Sequence, residues 1–109
     1  MRELREVTDQ TFDAEVLQAA RPVLVEYWAP WCRPCRQLEP ILVELANRFA
    51  DRMDFVRIDT AENPIAPADQ QVLHLPTVQI FADGQPVHTF RGSKPKNTMR
   101  DAIEATLGG

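Results

Sequence analysis

Cysteine is scarce in this chain: there are two among 109 residues, so a disulfide within it can only join Cys32 to Cys35. No apolar run approaches the length needed to cross a membrane as a helix. Charge of one sign is never concentrated either. Twelve basic and sixteen acidic residues give a formal charge of -4. They are dispersed, leaving no basic stripe for nucleic acid and no acidic block of the kind that makes a disordered tail. Internal repeats and low-complexity segments are absent. The opening Met1-Arg2-Glu3-Leu4-Arg5-Glu6 is charged and lacks the apolar stretch of a secretory signal, so the expected compartment is the cytoplasm. In a reducing compartment, two cysteines point to redox or metal chemistry more than to a structural staple. The length suits one compact domain, residues 1–109, with one core.

What is present converges on Trp31-Cys32-Arg33-Pro34-Cys35. Upstream, Val23 to Trp28 is a near-continuous apolar run that predicts a buried strand, with Pro22 at its start, where a missing N–H is tolerated. Downstream, Arg36 to Phe49 carries Leu38, Leu42, Leu45 and Phe49 at helical spacing, with Pro40 expected to kink the helix. The cysteines therefore fall where a strand turns into a helix. At that point unpaired backbone N–H groups and the positive end of the helix dipole favour a Cys32 thiolate, the form that attacks disulfides.

The rest of the chain reads as alternating elements. Leu4 to Val7 predicts a short edge strand, and a helix carrying Phe12, Val16 and Leu17 follows the start signal Thr8-Asp9. Met53 to Asp59 predicts a strand with Arg57 as an unexpected charge, and Asn63-Pro64 opens a helix to about Leu73. Thr77 to Phe81, the Asp83-Gly84 turn and Val87 to Phe90 predict a hairpin. Pro95 to Leu107 closes the chain as an amphipathic helix ended by Gly108-Gly109. Strands alternating with helices imply a parallel core, and the late hairpin adds antiparallel strands. The fold class expected is α/β, a central mixed sheet of four to five strands flanked by helices on both faces.

This order, with Trp28-Ala29-Pro30, Trp31-Cys32-x-Pro34-Cys35, Leu75-Pro76-Thr77 and Gly92, resembles the thioredoxin family over nearly the whole chain. The resemblance implies the thioredoxin fold and a protein dithiol–disulfide oxidoreductase, acting as a reductase on disulfide-containing protein substrates. It implies no bound cofactor beyond the redox-active Cys32–Cys35 pair. Reducing equivalents would come from NADPH through a flavoprotein thioredoxin reductase. Neither nucleic acid nor membrane is an expected partner, and the expected state is a monomer.

Carried over by position, Cys32 is similar to the family's exposed attacking cysteine and Cys35 to its buried resolving one. Glu26 and Arg57 match a buried acid and a nearby base beneath Cys35. Pro76 matches a cis-proline facing the sulfurs. Trp31, Arg33, Pro34, Leu75, Thr77 and Gly92 complete the substrate-contacting set. The departures are Arg33 where glycine is usual, glutamate for aspartate at 26, arginine for lysine at 57, and His74 where a small residue is common. They touch tuning more than identity.

In this chemistry the Cys32 thiolate makes a mixed disulfide with the substrate and Cys35 then displaces the substrate from it. Glu26, a carboxyl expected to be buried with a raised pKa, is a suitable acceptor for the Cys35 proton. The alternative is a strand residue neutralised by Arg57. A zinc site from the two cysteines with His74 and His88 is disfavoured, because the histidines lie far apart on opposite sides of a hairpin strand. His74 reads more readily as an exposed loop residue than as a proton relay. A second function class also remains, a binding or adaptor module whose redox activity is incidental.

Overall fold

The computed structural model describes residues 4–108. Met1 to Glu3 of the charged opening and Gly109 of the expected helix stop lie outside them. The elements are β1 (Arg5–Val7), a π-helical turn at Asp13–Leu17, β2 (Val23–Trp28), α1 (Arg33–Phe49), β3 (Asp54–Asp59), α2 (Ile65–Asp69), β4 (Thr77–Ala82), β5 (Gln85–Arg91) and α3 (Lys96–Thr106). The strands form one sheet in the order β1-β3-β2-β4-β5. The β1–β3 and β3–β2 pairs are parallel, and β2–β4 and β4–β5 are antiparallel. This is the mixed sheet that the alternation of elements predicted.

The central strand β2 is apolar on both faces apart from Glu26, because both are covered. Leu24, Val78 and Ile80 pack with Leu38, Leu42 and Leu45 of α1 and with Met99 and Ile103 of α3. Val23, Val25 and Tyr27 face the other way, against Phe12, Val16 and Ala66. Each of these Val, Leu, Ile, Phe and Met side chains, fully buried, contributes about 1.5–3 kcal/mol of transfer free energy. Helices thus lie on both faces, and the site end of β2 is held from two sides.

Local chemistry moved several boundaries. α1 begins three residues earlier than its apolar period suggested, because Cys32 caps it and Pro34 suits the first turn, where no N–H partner is needed. The helix runs on through Pro40 to Phe49. The expected first helix is only a π-helical turn, anchored by the Phe12 amide donating to the Thr8 carbonyl at 2.8 Å. α2 stops at Asp69 instead of reaching Leu73, since Gln71 has a φ of 58 and turns the chain out of the helix. Its amides are capped from a distance: the two Asp9 carboxylate oxygens accept from Ile65 and Ala66. At the hairpin turn Gly84 has a φ of 77, and a Cβ there would lie 2.6 Å from the Leu17 carbonyl oxygen, so only glycine fits.

Candidate active site

The sulfurs sit where β2 ends and α1 begins. Cys32 has an extended backbone (φ -90, ψ 100), which makes it the helix N-cap, and its Sγ accepts a hydrogen bond from the Cys35 amide at 3.3 Å. The Cys32 amide is itself tied back to the Ala29 carbonyl at 3.0 Å. Cys32 and Cys35 are joined as a disulfide. Cys32 is far less open than its expected role suggested: it is 5% exposed, against 1% for Cys35. Ala29, Trp28 and Leu75 pack around the pair. Trp31, by contrast, is 72% exposed beside it, and Arg33 and Pro34 are exposed as well.

The loop before β4 closes the site from the other side of β2. The Leu75–Pro76 bond is cis. Pro76 is buried and Leu75 half-buried. The Thr77 side chain does not meet the surface: it is buried, and its hydroxyl donates to the His74 carbonyl at 2.6 Å. Gly92 follows β5 with a φ of 84 and donates its amide to the Pro76 carbonyl at 2.8 Å, so its glycine character serves the backbone around Pro76. His74 is exposed, as read from the sequence. An open groove of about 670 Å³ lies at this end of the sheet, lined by Thr60, Val72, Leu73 and Arg91 among others. Leu73 is 85% exposed. Sequence reasoning missed this groove, because α2 was expected to run through Leu73 and no periodic pattern marks a loop side chain as open.

Glu26 and Arg57 occupy paired positions on β2 and β3, but they are not partners. Arg57 Nη1 donates to Glu39 Oε2 of α1 at 2.6 Å, and its Nε lies 2.5 Å from Glu6 Oε1 of β1 as an ion pair without hydrogen-bond alignment. Its guanidinium also stacks over the Trp28 ring at 4.2 Å. The reading of Glu26 as a strand residue neutralised by Arg57 is therefore corrected: Glu6 and Glu39 hold the cation. Neither residue was singled out from sequence, since both are ordinary surface-helix and edge-strand glutamates by pattern.

Glu26 is left fully buried, and neither carboxylate oxygen has a hydrogen-bond partner among the described residues. Burial is the main reason its pKa rises from 4.5 to about 8. The Glu39 charge pushes it the same way, as does Glu6 more weakly, while Arg57 opposes them. Burial also lifts the Glu6 carboxyl above its ordinary value, against the pull of Arg57.

Among the described residues no group of three or more His, Cys, Asp or Glu side chains is placed to hold a metal ion, so His74 and His88 do not assemble with the cysteines. No helix among them is long and apolar enough to cross a membrane.

A mixed sheet presenting a closed Cys-x-x-Cys ring at a helix N-terminus, with a protonatable buried carboxyl on the strand that leads into it, defines a dithiol–disulfide exchange protein. Comparison with known proteins gives the class its name. A family model described as Thioredoxin matches residues 3–105. The chain is 43% identical to "Thioredoxin 1" of Synechococcus elongatus over 101 residues, 93% of this chain and 94% of that one. It is 40% identical to "Thioredoxin 1" of Nostoc sp., over 94% of this chain and 95% of that one. It is 38% identical to "Thioredoxin M-type, chloroplastic" of Brassica napus, over 93% of this chain and 57% of that one. The chain belongs to the thioredoxin family, and it is a protein dithiol–disulfide oxidoreductase.

Proposed function

We propose that residues 1–109 act as one monomeric domain, a cytoplasmic protein-disulfide reductase recharged from NADPH by a flavoprotein thioredoxin reductase. The Cys32 thiolate attacks one sulfur of a substrate disulfide, forming a Cys32–substrate bond and releasing the first substrate thiolate. Cys35 then passes its proton to the Glu26 carboxylate. The resulting Cys35 thiolate attacks Cys32 Sγ, releasing the second substrate thiolate and closing the Cys32–Cys35 disulfide. Two electrons pass from the dithiol to the substrate in all.

The observation that carries this assignment is the asymmetry of the pair: Cys32 caps α1 and keeps the larger exposed fraction, 5% against 1% for Cys35. Helix N-terminal amides lower the pKa of a capping thiol, which suits an attacker. A carboxyl whose pKa is about 8 is closely matched to an ordinary thiol of about 8.5, so the second proton transfer is nearly thermoneutral. Trp31, Arg33, Pro34, Leu75 and Gly92 form the surface against which an extended substrate segment lies, with the buried Pro76 shaping the backbone beneath it. Thr77 acts from behind by fixing the His74 carbonyl. Arg57 acts on Glu26 by its charge.

Cys35→Ser tests the assignment. In a dithiothreitol-coupled insulin reduction assay it should lose turnover and accumulate a mixed disulfide with insulin at Cys32, whereas Cys32→Ser should form none. Trapping through Cys35 in the Cys32→Ser variant would reverse the roles. Undiminished partner binding by Cys32→Ser/Cys35→Ser, with turnover dispensable, would favour an adaptor.

A further inference from the structure

The Glu6–Arg57–Glu39 cluster is built more elaborately than neutralising one cation requires. Arg57 comes from β3, Glu6 from β1 and Glu39 from α1, so three elements converge on a single guanidinium. Glu39 is one helical turn beyond Cys35 and shares its side of α1. Two carboxylates facing one cation leave the cluster with a net negative charge. Beside it Glu26, in register with Arg57 across the sheet, has two buried oxygens and no hydrogen-bond partner among the described residues. Left to itself, an arginine next to a buried carboxylate would pair with it, since charge-assisted two-point contacts are the strongest available. Here its Nη1 and Nε are both turned to other carboxylates, and its flat face rests on Trp28.

We propose that Glu39 is a positioning residue for the resolving step: with Glu6 it clamps Arg57 away from Glu26, so that the Glu26 carboxylate stays unpaired and basic enough to take the proton of Cys35. The proposal rests on Glu26 being the proton acceptor. The charged groups that face Glu26 are Arg57 from β3, Glu39 from α1 and Glu6 from β1. Its partner across β4 is Val78, and α3 contributes Met99, Ala102 and Ile103 to the same core layer, all uncharged.

Releasing the clamp has a different signature from removing a distant charge. In Glu39→Gln, Arg57 Nη1 is free to turn to Glu26, and an adjacent arginine lowers a carboxyl by about 1–3 pH units. In the Arg57→Met background the same change removes only like-charge repulsion, and the fall should be under about 1 unit. The measurement is the Glu26 carboxyl titration, followed by carbon-13 NMR of glutamate-labelled oxidised protein. It covers wild type, Glu39→Gln, Arg57→Met and the double variant, with Glu6→Gln as a second opening of the clamp. A large fall in Glu39→Gln, shrinking when Arg57 is absent, is the expected result. Equal falls in both backgrounds, or none, would overturn the clamp.

The pH profile of mixed-disulfide resolution, read in single turnovers on a fluorescent disulfide peptide, separates the two levels of the argument. Its midpoint should fall with the titration. If the carboxyl moves and the rate profile does not, the clamp stands and Glu26 is not the acceptor. If neither moves, the clamp itself is overturned.

Discussion

Replacing Glu26 by leucine should make the oxidised protein more stable, and increasingly so as pH rises. The carboxyl titrates near 4.5 when unfolded and near 8 when buried. The native state therefore binds this proton more tightly, and stability falls with pH wherever the unfolded chain has lost a proton that the native one keeps. Below about pH 4.5 both states are protonated and no penalty is felt. Between that value and about 8 stability should fall by about 1.4 kcal/mol per pH unit, and above 8 the loss levels off at about 5 kcal/mol. At pH 7 roughly 3 kcal/mol has gone. Leucine removes this titration. It also removes two buried oxygens without partners, worth about 1–3 kcal/mol even when the group is neutral. Arg57 is not orphaned by the change, because Glu6 and Glu39 already hold it. Urea unfolding of the two oxidised proteins at pH 4, 7 and 9 gives a difference curve in which the common titrations cancel. A difference that rises by several kcal/mol from pH 4 to 9 is expected. A flat one would show that Glu26 is solvated or paired in solution, and the raised pKa with it would be wrong. A gain in stability at the expense of the resolving step is the usual bargain for a strained functional group.

Arg33→Gly should make the protein a slightly stronger reductant, because the arginine charge stabilises the Cys32 thiolate found only in the reduced form. An exposed charge is worth about 0.3–1 kcal/mol, so the potential measured against glutathione should move on the order of 10–20 mV more negative, less at high salt. A move in the positive direction would mean that Arg33 acts through loop conformation. Tyr27→Phe should lose about 1–2 kcal/mol in denaturant unfolding, since the hydroxyl donates at 2.6 Å to Gln79 Oε1 and its removal strands a buried acceptor. An unchanged midpoint would show that Gln79 finds another donor.

Much of the fold was legible because burial imposes periodicity on sequence. The near-continuous apolar run Val23–Trp28 announced a strand covered on both faces, and Leu38, Leu42, Leu45 and Phe49 announced the helix that covers one of them. The pairing of Cys32 with Cys35 was equally accessible, there being no other thiols. The weakly patterned stretches were harder. The segment after Thr8 became one π-helical turn, and α2 began at Asp9's carboxylate and ended at Asp69, because hydrogen bonds accepted by Thr8 and Asp9 and the left-handed backbone of Gln71, not hydrophobic spacing, set those limits.

By itself the sequence determined which residue types meet at the strand-to-helix junction, because chain connectivity places Trp31 through Cys35 there whatever the rest of the molecule does. Only tertiary structure decided who holds Arg57. From sequence, Glu26 was its natural partner and Glu6 and Glu39 were unremarkable. Folding sets β1 beside β3 in the sheet and packs α1 over one of its faces, and both carboxylates reach the guanidinium where water still screens them. Glu26 sits deeper, where a charge is costly and a proton is cheaper than a partner. That difference in depth is invisible in a linear pattern, and it leaves a protonatable carboxyl in the core layer beside the cysteine-bearing helix.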